Sequence, residues 1–182
     1  MSRKKYINAY ETVYEYDEDG RETRRVNYRG DIYEIVTDEV NIKKYKVTQI
    51  IIVVLVFLIQ LALGFINNAG GRILYVSLPY LIAFLPMAYW FIAATRLPSK
   101  KKELRLEIVD LGFKRSKVMS LLIAIFSGIA ILGAIVFLIF FSEGNILKDL
   151  LFLLGQLIVF TLALFAHLQS RKIIIRKIET DE

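Results

Sequence analysis

Four stretches of the chain, 47–66, 73–94, 118–141 and 150–168, run for 19 to 24 residues without a Lys, Arg, Asp or Glu. About 20 helical residues cross the hydrocarbon core of a bilayer, so each run predicts a membrane-spanning helix. Lys148 and Asp149 mark the outer edge of the last run, which is the tightest fit. The pattern differs ahead of the first run. Residues 6–36 alternate and are rich in Tyr, Val, Ile and Thr, which predicts strands. Asp19-Gly20 signals a two-residue hairpin loop. Such a loop opposes Val13 to Val26, Glu15 to Arg24 and Glu18 to Arg21, all favourable cross-strand pairs. Arg29-Gly30-Asp31 reads as a second turn and 32–36 as a third strand. Thr37 or Asp38 is placed to cap a helix running through Lys43, Lys44 and Lys46 into the first span.

The predicted fold is an all-α integral membrane protein: a four-transmembrane-helix bundle, N-in and C-in, with a small cytosolic β-hairpin or meander at the N-terminus. Residues 1–46 form the β-rich element, 47–168 the transmembrane domain with a basic cytosolic loop at 95–117, and 169–182 a cytosolic tail. An isolated hairpin is marginal in water. This one should therefore lean on the basic loop, a second copy or a partner. The 95–117 loop reads equally as an amphipathic helix with Leu104, Ile108 and Leu111 on one face, or as a short strand.

Composition and charge orient this picture. The chain of 182 residues is 55% hydrophobic, with mean hydropathy +0.48. Of its 24 Lys and Arg, ten fall in 1–46, eight in 95–117 and four in 169–182. Only Arg72 and Lys148 fall in the two intervening loops. Positive residues stay on the cytoplasmic side, so both termini and the middle loop are expected inside, in a cell membrane. The first apolar run starts far from the charged N-terminus, which predicts an uncleaved anchor rather than a signal peptide. The 95–117 loop, with net charge +5, suits anionic lipid headgroups on the cytosolic side. Lys100, Lys101, Lys102, Arg105, Lys114 and Arg115 are the candidate contacts.

Polar residues inside the runs need partners, because hydrocarbon offers no water. Gln49 and Gln60 are eleven residues apart, as are Gln156 and His167. That separates each pair by roughly 16 Å along its helix. Their distances from the run ends match, so the first and fourth spans are expected to pack antiparallel. Gln60 then meets Gln156, and Gln49 meets His167. Pro79 and Pro86, on one face with Tyr75 and Trp90, predict a bend in the second span. Ala124 and Gly128 form a small-xxx-small pair that permits close helix approach.

The remaining chemistry is excluded more than found. No cysteine is present, so thiol chemistry is impossible. There is no phosphate loop, HExxH motif or intramembrane Asp, and a lone His cannot make a metal site. No catalytic, metal or cofactor-binding residues are assigned, and no nucleic-acid module is visible. The leading expectation is a non-catalytic accessory, anchoring or regulatory subunit of a membrane complex, with a protein partner or a second copy of itself. The alternatives are a small oligomeric transporter or channel subunit, and a membrane enzyme acting on lipid at the cytosolic surface.

Overall fold

The computed structural model of the chain describes residues 9–16, 22–100, 103–141 and 146–178. It is mostly helical, with four helices long and apolar enough to cross a membrane. Helix α1 covers Glu39–Gly64, beginning ahead of the first apolar run. The second is interrupted: α2 covers Leu74–Ile82 and α3 covers Phe84–Thr95. Helix α4 covers Leu106–Phe140 and α5 covers Ile146–Ser170.

The interruption at Ala83 follows from the two prolines. Neither supplies an N–H, so the carbonyls of Tyr75 and Ile82 lose their helical donors. Pro79, Ala83, Pro86 and Trp90 all face the interior, whereas Tyr75, expected on the same face, is 42% exposed. Its carbonyl abuts α4 at Gly133, where a Cβ would lie 3.0 Å from the Tyr75 oxygen. Glycine is what allows that approach.

The bundle core is assembled from Val53, Val56, Met87, Trp90, Ile123, Val159 and small residues, among them Ala83, Ala94, Ala124, Ala163 and Ala166. Ala124 lies in this core, and Gly128 faces Phe160 of α5, so the small-residue face of α4 packs on the fourth helix of the same chain. The polarity is inverted relative to a water-soluble bundle. Gln49, Gln60, Gln156, Ser120 and Ser127 are fully buried, while Phe65, Leu74, Leu85, Leu132, Ile139 and Phe140 are each more than 60% exposed.

The strands form two sheets rather than one meander. Strands β1 (Tyr10–Tyr16) and β2 (Glu22–Tyr28) make the hairpin. Their register is one residue from the expected one: Thr12 pairs with Val26, Val13 with Arg25 and Glu15 with Thr23. Pairing of Tyr16 with Glu22 leaves an odd number of connecting residues, which a two-residue loop cannot supply. The Asp19-Gly20 turn itself lies outside the described residues.

Strand β3 (Ile32–Ile35) leaves the hairpin and becomes the centre of a second antiparallel sheet. Its neighbours are β4 (Leu104–Arg105), from the middle loop, and β5 (Ile175–Lys177), from the tail. The ambiguous middle loop is thus strand for two residues and helix from Leu106. After its first three residues the helix passes through a π turn at Val109–Lys114. A π turn holds more residues than an α turn, which shifts the inward face from the expected Ile108 and Leu111 to Val109, Asp110 and Phe113. Asp38 is the N-cap of α1 without a side-chain capping bond, and the Thr37 hydroxyl accepts from the Ile174 N–H at 3.4 Å.

Candidate functional site at the basic end of the bundle

The basic residues frame one end of the bundle, and that end carries its own small core. Ile35, Ile42, Tyr45, Leu97, Leu104, Val109 and Phe113 are buried there beneath the second sheet. They come from the N-terminal strand, α1, the end of α3, the middle loop and α4. Tyr45 and Phe113 stack with ring centroids 6.0 Å apart and planes 5° apart. The tail closes the assembly. Val36 N–H donates to Ile174 O at 3.1 Å, Ile178 N–H donates to Ile32 O at 2.9 Å, and Lys177 pairs with Asp31 at 2.8 Å.

The hairpin leans on the middle loop. The Arg105 guanidinium sits over the rings of Tyr10 and Tyr28, 5.7 and 5.4 Å from their centroids, a favourable cation–π geometry. The Leu106 N–H donates to the Tyr28 hydroxyl at 3.0 Å. Alternation along the paired strands puts Tyr10, Thr12, Tyr14, Arg24, Val26 and Tyr28 on one face. The inner part of that face meets Arg105, and its outer part, Tyr14 and Val26, is exposed.

Between α4, α5 and the sheet lies a cavity of about 240 Å³ lined by Tyr33, Val109, Phe113, Lys114, Lys117, Ser170, Ile173 and Ile175. Lys114 Nζ is 2.8 Å from the buried Asp110 carboxylate, and Lys117 is exposed. The Ser170 hydroxyl donates to Ala166 O at 2.8 Å. Its remaining contact, 2.9 Å from the Tyr45 hydroxyl, is therefore donated by Tyr45.

Directly inward lies a polar cluster. Trp90 Nε1 reaches both Gln49 Oε1 and Ser116 Oγ at 3.0 Å. Ser116 Oγ donates to Gln49 Oε1 at 3.1 Å, and Gln49 Nε2 donates to Ala166 O at 3.1 Å. Gln49 and His167 form no side-chain hydrogen bond with each other among the described residues; Gln49 bonds the carbonyl of Ala166, the residue before His167. His167 Nδ1 instead donates to Lys117 O at 3.0 Å, because its ring lies toward α4 whereas Gln49 is held by Trp90. Deeper still, Gln156 Nε2 donates to Gln60 Oε1 at 3.1 Å, across antiparallel α1 and α5. Gln60 Nε2 donates to Tyr80 O at 3.1 Å, and the Tyr80 hydroxyl returns a bond to Gln60 O at 2.7 Å. Gln156 Oε1 and Ser127 Oγ are buried without a hydrogen-bond partner among the described residues.

The basic residues singled out for headgroups divide into groups. Arg105 is engaged with the hairpin and Lys114 with Asp110, and Arg115 lies 5.7 Å from the Tyr89 ring centroid. Lys100 is exposed, and Lys101 and Lys102 lie outside the described residues.

Four participants escaped sequence reasoning. Ser116 lies within α4 just after its π turn and Ser170 ends α5, positions where serine is unremarked. Gly155 is needed because a Cβ there would lie 2.4 Å from Leu63 Cδ2. Asp149, read as the outer edge of the last span, lies within α5 and is 3% exposed. Its Oδ1 accepts from Gly70 N at 3.0 Å and from Asn68 Nδ2 at 3.2 Å. A charge adjoining an apolar run signals a boundary by composition alone, and nothing in the sequence joins it to residues 68–70.

The arrangement defines a class: a four-helix, membrane-compatible bundle with a small β cap. Compared with protein-family models, curated proteins and solved structures, the chain matches nothing.

Proposed function

We propose that the chain is an integral protein of the cell membrane with four spans and with both termini and the 95–117 segment in the cytoplasm. It acts as a non-catalytic subunit that presents its N-terminal hairpin to a protein partner. Insertion is supported by the inverted polarity of the bundle, with amides inside and Leu, Ile and Phe outside. Water disfavours that distribution and hydrocarbon favours it. Orientation is supported by the sequence, in which 22 of 24 basic residues fall in the segments 1–46, 95–117 and 169–182. A packed, non-conducting role is supported by Gln49, Gln60 and Gln156, each fully buried.

The observation that carries the docking role is the construction of the basic end. Three separate segments knit a sheet, and Arg105 holds a hairpin off it. Tyr14 and Val26 remain 59% and 57% exposed. Exposed aromatic and β-branched side chains on a held hairpin fit a contact surface better than a solvated one. The test is purification from native membranes in mild detergent, comparing the unmodified chain with a Tyr14→Asp, Val26→Asp variant. The expected result is a stoichiometric membrane protein that the variant fails to retain, with unchanged helical melting. A lone monomer, or equal recovery by both chains, counts against the reading. Protease cleavage of the hairpin in inside-out but not right-side-out vesicles tests orientation separately.

A further inference from the structure

We infer that the cavity under the second sheet is a binding site for a phosphoryl group, carried by a phospholipid or free in solution, with Lys117 as its principal cation. This deepens the membrane reading and rests on its orientation. The cavity measures about 240 Å³, room for roughly eight waters. That is below the usual range for an organic cofactor, about 300 Å³ and up, and suits a headgroup-sized ligand.

Its charge favours an anion. Lys114 and Lys117 line it, no carboxylate is among its described lining residues, and Lys114 is paired with the nearby Asp110. Lys117 is exposed and makes no ion pair among the described residues. Its backbone is anchored, since His167 Nδ1 donates to its carbonyl at 3.0 Å. The side chain is thus presented from a fixed point.

The location favours a lipid as the carrier. Lys117 immediately precedes the apolar run that starts at Val118, and Ser170 ends α5. The cavity therefore sits where the apolar bundle surface gives way to the cap. This is the level at which lysines extend toward headgroups. Phe113, Ile173 and Ile175 supply apolar wall beside the cations, which inorganic phosphate does not need and a glycerol backbone does.

The test uses the full chain in detergent, with bound molecules counted by native mass spectrometry. The probes are phosphatidylglycerol, diacylglycerol of the same chains, and inorganic phosphate. The expected result is one retained phosphatidylglycerol, with diacylglycerol retained about fivefold less, since a basic residue near an anionic surface contributes at about that level. Lys117→Gln loses the preference and Lys117→Arg keeps it. Lys44→Gln, an exposed residue outside the cavity, also keeps it. Retention of phosphate with no preference for phosphatidylglycerol assigns the site to the free anion. Equal binding by Lys117→Gln and the unmodified chain, with phosphate bound by neither, overturns the site. Vesicle protease accessibility reads orientation without any bound lipid, so failure of the site and failure of the membrane reading are separable.

Discussion

The two ends of the bundle are closed by different means. At the basic end a second hydrophobic core, a three-stranded sheet and a hairpin cover the helices, assembled from the N-terminal segment, the middle loop and the tail. At the other end a buried carboxylate joins two segments. The Asp149 carboxylate ties the start of α5 to Asn68 and Gly70, beside a short 3₁₀ turn at Gly70–Arg72. One end is covered by a sheet and hairpin, and the other is tied by a buried polar contact. Where many weak contacts share the closure, no exposed one is decisive. Where a buried carboxylate ties two segments, loss of that group leaves two donors without an acceptor.

This contrast can be broken or sharpened by measurement. Trp90→Ala, beneath the basic end, empties a fully buried site and frees Gln49 and Ser116; a loss of about 3 kcal/mol is expected in a reversible denaturation assay. If the bundle tolerates it, the polar cluster is not what organises that end. Asp149→Ala at the opposite end is expected to cost about 1–3 kcal/mol, from desolvated donors left unpaired. Asp149→Asn keeps an acceptor and should recover most of it. Equal behaviour of the two variants would show that the carboxylate is not the latch.

Between the ends, a double-mutant cycle with Gln60→Leu and Gln156→Leu should give a coupling of about 0.6 kcal/mol, typical of interhelical side-chain bonds in membranes. A coupling near zero would mean that the 3.1 Å bond contributes nothing to packing α1 on α5. Smallest of all, Lys177→Ala removes the half-exposed pair with Asp31 and should change stability by less than about 1 kcal/mol. Truncation after Ser170 should speed amide exchange at Ile32–Ile35 while leaving the helical melt in place. Loss of the helical melt on truncation would show that the tail supports the bundle, not only its cap.

Much of the bundle was legible before the structure. The apolar runs marked the four helices, since a stretch of that length has few other uses, but α1 and α4 begin at Glu39 and Leu106, well ahead of their runs. Pro79 and Pro86 announced the break, because a missing N–H is a covalent fact. Equal spacings put Gln60 and Gln156 at one depth. For Gln49, which bonds the carbonyl just before His167, the same arithmetic gave the depth but not the bond. Matching depth does not fix rotation about the helix axis, and Trp90 claims Gln49 from a third helix. The hairpin was legible as strands but not in register, which the connection sets and a one-residue change reverses.

Length, periodicity and charge are local properties, and they sufficed for the number of helices, the position of the break and the end at which basic residues gather. The cap was decided elsewhere. Strand β3 pairs with four or fewer residues from each of two distant segments, too short to carry a periodic signal. Asp149 is buried by residues about eighty positions away. Such pairings take their energy from surfaces that become neighbours only when the helices pack, so only the tertiary structure could specify them.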